Sequence, residues 1–468
     1  MMIALILAAI VTSDYGVGAF LAPQFLGRNH SSRTALRIYS PSSSHDTENI
    51  ELKLEQKTWT FRNKYSIAFE VATVANNEDY EDVSVETVPI LLLNGFGVGS
   101  FHQHRLMRRM LLEQNDDDTG RKRQKYVLYG IDYLGQGKSW PTNCDDGNSS
   151  DESNLGYSAD MWLDQLTGFI EEVIVPTASS SNKVHLVGNS VGGYLSTILA
   201  CRHPHLVSSL ALMNATPVWG LNLPGWDGRL PAPGFPKMVG RKMFDTIRNL
   251  DVIDKYLEAA YVHREAYDGS FADGIHGYSG DEKGEGGGLP AKIRGCTEGK
   301  GGHAAFASIL WSPPASSSSS EQGEGIADFY DSLRSLPIDV LLLFGSDDPW
   351  CTPAIAKRMH TAIHGRRANA AAGRYVSLEN AGHCPNHEAP ASVARVLSRW
   401  IGALPSSSSS RSATKDEDGW TRSNVPLISS GDAEVVCEPW GAFLVREVSI
   451  DESRDLGIID RVVSSMVG

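Results

Sequence analysis

Residues 184–201 constrain the chain more than any other stretch, because a strand, a tight turn and a helix follow one another there without a linker. Val184 to Val187 is a short β-type run, Leu195 to Cys201 reads as an apolar helix, and Gly188-Asn-Ser-Val-Gly192 stands between them. A strand passes into a helix that abruptly only through a turn whose central residue is strained and whose flanks carry no bulk. Such a turn lifts the Ser190 hydroxyl clear of a sheet and aims the Val191 N–H at the place where an oxyanion would form. The bare pattern G-x-S-x-G arises by chance in a chain with 45 glycines, so its position between strand and helix is what gives it weight.

A nucleophilic serine needs a base and a group that orients the base, and candidates for both follow in chain order. Val340 to Phe344 predicts a buried strand that ends at Gly345-Ser-Asp-Asp-Pro-Trp350. A carboxylate just past a strand end can accept a hydrogen bond from a histidine Nδ1–H, which fixes the tautomer and stabilises the imidazolium. The spacing Gly-x-x-Asp-Pro-Trp favours Asp348 for that role, with Asp347 as the alternative. Tyr375 to Leu378 predicts a further strand leading to Asn380-Ala-Gly-His-Cys-Pro385, which puts His383 in a small-residue turn where the general base belongs. Singly, one of 14 histidines is more often a packing residue, and Asp-Asp before proline more often a plain turn. Three strand-end residues in the order Ser, Asp, His are harder to explain that way.

An oxyanion hole needs a second donor. Pro89 to Leu93 is a continuous apolar run that breaks into Asn94-Gly-Phe-Gly-Val-Gly-Ser100, and the Phe96 N–H is the best placed donor there. Asn94 is a polar side chain able to brace that loop. A phosphate loop is excluded because no Lys-Ser/Thr pair follows the glycines. Tyr126 to Ile131 predicts another strand, followed by Asp132-Tyr-Leu-Gly-Gln-Gly-Lys-Ser139, similar to the D-x-x-G-x-G-x-S turn of α/β-hydrolases. Its Asp132 and Ser139 are expected to hold the loop by hydrogen bonds.

Several longer runs together resemble the pheophytinases. They are Asn94-Gly-Phe-Gly-Val-Gly-Ser-Phe-His102, Gly188-Asn-Ser-Val-Gly-Gly-Tyr194, His203-Pro-His-Leu-Val207 and Leu212-Met-Asn-Ala-Thr-Pro-Val-Trp-Gly220. Ala305-Phe-Ala-Ser-Ile309, Asp348-Pro-Trp350 and Ala381-Gly-His-Cys-Pro385 complete the set, and the likeness runs from about Trp59 to about Trp400. The resemblance implies an α/β-hydrolase fold: a mostly parallel central sheet flanked by helices, with a helical lid inserted before the acid-bearing strand. It implies Ser190, Asp348 and His383 as nucleophile, acid and base, with Val191 and Phe96 as the oxyanion donors. The implied reaction is removal of phytol from pheophytin, giving pheophorbide, with no metal and no organic cofactor. The substrate partner is then pheophytin or a chlorophyll-type phytyl ester, and association with thylakoids would be peripheral. The nearest rivals are a chlorophyll dephytylase and another plastid lipid or thioester hydrolase. A catalytically inactive pigment-binding protein is the alternative of a different class. The chain departs from the family in a Gly-rich insert at 279–302, a poly-Ser insert at 313–325 and a long tail.

Composition narrows the partners. A formal net charge of −14 disfavours nucleic acid, and the one basic run, Arg121 to Lys125, follows Asp116 to Asp118 as a solvated turn would. The six cysteines, at 144, 201, 296, 351, 384 and 437, show no C-x-x-C pair, so reduced thiols and no zinc are expected. Met2 to Val11 is apolar but too short for a stable span, and small residues follow it. Residues 1–19 therefore read as a signal peptide, and 20–50, rich in Ser and Arg up to His45 with no acid there, as a plastid transit peptide or disordered leader. The hydrolase domain is expected over 51–404, opening with a hairpin from Trp59 to Phe61 and Tyr65 to Phe69. Ser158 is the expected N-cap of a helix carrying Trp162, Leu166, Ile170 and Val173 on one face. A lid over about 218–335 carries Met243, Ile247, Leu250, Ile253, Leu257 and Tyr261 at helical spacing, and its aromatic residues suit an apolar cleft. Residues 405–468 form a Ser-rich linker and an extension of unknown role, in which Val435-Val436 and Trp440 to Val445 could add a strand or pack on the domain.

Overall fold

The computed structural model describes residues 37–39, 52–75, 86–114, 124–140, 155–178, 182–220, 226–271, 288–299, 301–317, 326–365, 372–402, 426–428 and 433–455. The signal-peptide segment, most of the leader, Arg121 to Arg123 and most of the poly-Ser insert lie outside them. Eleven strands form one sheet: β1 (Arg37–Tyr39), β2 (Leu52–Phe61), β3 (Tyr65–Val74), β4 (Glu86–Leu93), β5 (Gln124–Ile131), β6 (Val184–Asn189), β7 (Val207–Met213), β8 (Asp339–Gly345), β9 (Gly373–Glu379), β10 (Ala433–Glu438) and β11 (Gly441–Glu447). Their spatial order is β1-β10-β11-β9-β8-β7-β6-β4-β5-β3-β2. From β5 through β9 all neighbours are parallel, and antiparallel pairings frame them at both ends. This is the mostly parallel sheet expected of an α/β-hydrolase.

The central strands are apolar on both faces because helices cover both faces, and alternation sorts their side chains into two cores. Leu91, Leu93, Leu186, Val340, Leu342 and Phe344 pack with the helices Ala159–Phe169, Val191–Arg202, Phe329–Ser335 and Pro353–His364. Ile90, Leu92, Val187, Leu341 and Leu343 face the other way, onto His104–Glu113 and Pro390–Gly402. The parallel strands thus point their carboxyl ends to one rim, where ligands of such sheets bind.

Local readings meet the structure with instructive shifts. The opening hairpin pairs Trp59 with Ile67 and turns at Arg62 and Asn63, both at positive φ. Ser158 does cap its helix, accepting from Met161 N–H. A π turn over Ile170–Ile174 then changes the phase, so Ile174 is fully buried where regular spacing points to Val173. The single lid stripe is two helices, Gly234–Ile247 and Leu250–Ala260, because Asn249 caps the second one by accepting from Asp251 N–H. The Gly-rich insert contains a helix, Gly288–Gly295.

The tail adds two strands. β11 pairs antiparallel with β9, β10 follows it, and β1, from the segment read as a leader, pairs in parallel with β10. Buried carboxylates fasten this edge to the sheet's helices: Glu434 meets Arg395 and Arg399, and Glu438 meets Arg109.

Candidate active site

Ser190 closes β6 and precedes the helix Val191–Arg202, with φ 54° and ψ −118°. That backbone conformation is uncommon for a residue with a side chain and is held by the packing of its neighbours. A Cβ on Gly188 would stand 2.4 Å from the Gly192 carbonyl oxygen, and one on Gly192 would stand 2.5 Å from that of Leu93. Only glycine fits at either place. The Ser190 carbonyl accepts from Gly193, Tyr194 and Thr216 N–H groups, which pins the elbow from three sides. Val191 is the first residue of the helix, where an amide has no carbonyl one turn behind it and is left for a ligand.

The candidate acid sits beyond β8. Asp348 Oδ2 lies 2.7 Å from His383 Nδ1 and accepts from Asn214 Nδ2 at 2.8 Å, while Oδ1 accepts from Trp350 N–H at 2.8 Å. Burial alone would raise the pKa of this carboxyl group. The charge of His383 and the hydrogen bonds from His383, Trp350 and Asn214 outweigh it and hold the pKa below the ordinary carboxylate value. Asp347, the alternative, is exposed and accepts instead from Ser346 Oγ and Asn380 N–H. His383 is buried on the turn after β9, and its carbonyl accepts from Asn189 Nδ2 at 3.0 Å. Its ring stands edge-on to Trp350, with centroids 4.9 Å apart.

The loop after β4 is braced as its residues suggest. Asn94 Nδ2 donates to the Val98 carbonyl at 2.8 Å, and Gln136 Oε1 accepts from Gly97 N–H at 2.8 Å. Asp132 accepts from Ser100 and Lys138 N–H, and Ser139 Oγ accepts from Ala68 N–H, so this turn is architectural. Gly95 passes so close to Ser190 that a Cβ there would be 3.2 Å from the serine Cβ. Phe96 is thereby held beside the serine, its ring packed on Phe306.

Two apolar lobes open on this point. One is lined by Trp162, Val218, Trp219 and Ile309, the other by Ile253, Tyr256, Leu257 and Ile293. Phe96, Ser190, Trp350 and His383 line both. Asp348, Cys351 and His383 bring three potential metal donors within 4.8 Å of one another. They fit a metal poorly, because Nδ1 is committed to Asp348 and burial pushes the Cys351 thiol well up, keeping it protonated. Cys384 lines the second lobe, and burial raises its pKa as well, so it is no thiolate nucleophile.

Sequence reasoning missed three groups here. Asn214 bridges the acid loop, accepting from Gly345 N–H and donating to Asp348, yet it lies 134 residues from Asp348. Ile293 and Thr297 line the second lobe from an insert whose composition reads as low complexity. For Asn214 the one available signal was its place just past the end of β7, in the run Asn-Ala-Thr-Pro.

The chain is similar to several known proteins. The chain is 28% identical over 354 residues to the chloroplastic pheophytinase of Arabidopsis thaliana, covering 69% of this chain and 63% of that protein. It is 24% identical over 326 residues to a proline iminopeptidase of Lactobacillus acidophilus, covering 68% of this chain and 91% of that one. An esterase of Exiguobacterium antarcticum superposes with a TM-score of 0.47 at 17% identity, covering 74% of this chain and all of that one. Residues 90–396 match the alpha/beta hydrolase family, and the chain belongs to that family.

Proposed function

We propose that the chain is a serine carboxylic-ester hydrolase that removes phytol from pheophytin. The observation that carries this reading is the pair of apolar lobes meeting at Ser190 and His383, because an ester joining two bulky apolar halves needs room on both sides of its carbonyl. The Arabidopsis pheophytinase supports the substrate class.

The chemistry follows from the geometry. With Nδ1 held by Asp348, Nε2 is the nitrogen left for the Ser190 proton. Ser190 Oγ attacks the ester carbonyl as His383 takes that proton, and the Val191 and Phe96 N–H groups hold the oxyanion. The tetrahedral intermediate collapses, and phytol leaves with the proton from His383. Water then gives a proton to His383 and attacks the acyl-serine, which releases the acid and returns the proton to Ser190. The lowered pKa of Asp348 keeps it ionised beside the imidazolium. A plastid location goes with this reading, and contact with thylakoids would be peripheral. Among the described residues no helix is long and apolar enough to cross a membrane.

The test is incubation with pheophytin and, separately, chlorophyll, with Ser190→Ala alongside. Pheophorbide and phytol are expected from pheophytin, with loss of about six orders of magnitude in the variant. Equal cleavage of chlorophyll would widen the assignment to a general dephytylase. Release from neither, while a simple aryl ester is cut, would overturn the phytyl substrate.

A further inference from the structure

We propose that Glu388 is a positioning residue that joins the loop bearing His383 to the lid, held from behind by Trp440 of the carboxy-terminal hairpin. The inference rests on His383 being the base, as read above.

Glu388 ends the short helix Pro385–Glu388, and its side chain is wholly buried. A carboxylate withdrawn from water costs several kcal/mol unless donors surround it, and here two chain segments supply them. Oε2 accepts from Gly382 N–H at 2.8 Å. Oε1 accepts from the Val262 and His263 N–H groups, both at 2.8 Å, and lies 3.0 Å from His263 Nδ1. Gly382 immediately precedes the base; Val262 and His263 follow the lid helix Leu250–Ala260. The His383 N–H itself donates to the Ala260 carbonyl at 2.7 Å. The approach is so close that a Cβ on Gly382 would stand 2.1 Å from that oxygen. Lid end and base loop are therefore one hydrogen-bonded unit.

The tail closes this unit from the outside. Trp440 Nε1 donates to the Glu388 carbonyl at 2.8 Å, and the Arg105 guanidinium lies 4.6 Å from the Trp440 ring centre. Gly441 abuts the His263 ring, where a Cβ would be 2.3 Å from Nε2, and Phe443 packs on the same ring. Trp440 lies past residue 396, outside the part of the chain that matches the family. Ile253, Tyr256, Leu257 and Ala260, on the same lid helix, line the second lobe. Occupation of that lobe and placement of the base are thus mechanically linked.

Glu388→Gln keeps the shape but sets an amide NH₂ against one of the N–H donors. The full chain is assayed with p-nitrophenyl acetate, with a long-chain p-nitrophenyl ester, and for the rate at which a p-nitrophenyl phosphonate phosphonylates Ser190. That last reaction forms the Ser190 O–P bond, expels p-nitrophenolate and sends the serine proton to His383, so it reads the base directly. A roughly 10- to 100-fold fall in kcat for both esters and in phosphonylation, with KM for the acetate unchanged, is expected of a displaced base. Two results overturn the proposal: rates within about twofold of the parent in a folded variant, or a KM change for the long ester alone with normal phosphonylation. If Glu388→Gln does not fold, Trp440→Phe removes the hydrogen bond to the Glu388 carbonyl while keeping an aromatic ring under the Arg105 guanidinium. A severalfold fall in phosphonylation with little change in Tm supports the link, and an unchanged rate overturns it. Phosphonylation that survives Ser190→Ala brings down the underlying reading of the site, and this inference with it.

Discussion

Asn214 shows how much of the site is held by single side chains. It sits at positive φ after β7, donates to Asp348 and accepts from Gly345 N–H, so one amide fixes both that carboxylate and the strand end that carries it. Asn214→Ala leaves that N–H and one carboxylate lone pair without their partner. A loss of about 2 kcal/mol in unfolding free energy is expected from denaturant titration, as for hydrogen bonds to charged groups. The acid limb of kcat/KM also shifts, because a donor that lowers the Asp348 pKa is gone. Gly192 offers a contrasting case. A methyl group there meets the backbone of Leu93 and Asn94, so Gly192→Ala displaces the loop carrying Phe96 as well as the elbow itself.

At the scale of elements, the C-terminal additions are bound by polar groups that titrate. The short helix Ile450–Arg454 is docked where Ser453 Oγ lies 2.8 Å from His360 Nδ1. Burial, aided by the neighbouring His364, pushes the His360 pKa down to about 3. The unfolded chain therefore binds a proton that the folded chain refuses. Stability is complete above the ordinary histidine value of 6.5 and is lost progressively as pH falls from there toward 3. At pH 5 the loss reaches about 2 kcal/mol. Thermal melting at pH 7 and pH 5 checks this, and His360→Phe is expected to remove most of the difference. Hydrogen exchange over 433–455 should rise with acid before it does in the central strands.

For the whole molecule, the two lobes predict a separation of substrate size from chemistry. Ile293→Trp narrows the second lobe from its outer wall without touching Ser190, His383 or Phe96. KM for a long-chain or phytyl ester is expected to rise by about tenfold, equivalent to about 1.4 kcal/mol. For p-nitrophenyl acetate, kcat/KM should stay within about twofold. Much of this molecule was legible in the sequence because much of it is local. The continuous apolar runs of β4 and β8, the glycines about Ser190 and the turns at Asp348 and His383 write their geometry into neighbouring residues. That Asp348 rather than Asp347 meets His383 agrees with the spacing to Pro349. What was not legible is made by distance along the chain. Glu388 meets Val262 across 126 residues, and Ile293 reaches the cavity from a segment whose glycines hide its helix. The π turn after Phe169 escaped for another reason: one extra residue per turn leaves no mark in composition.

The pairing of β1 with β10 bears on how the chain can be trimmed. Arg37, Ile38 and Tyr39 lie against Glu434, Val435 and Val436, so a piece of the amino-terminal segment covers the outermost strand of the tail. A protease that removes a leader before Arg37 leaves that cover in place. One that cuts after Tyr39 bares the backbone N–H and C=O groups of β10, a ready template for a strand from another molecule. Loss of Arg37 to Tyr39 is therefore expected to raise self-association, which sedimentation of the trimmed and untrimmed chains checks.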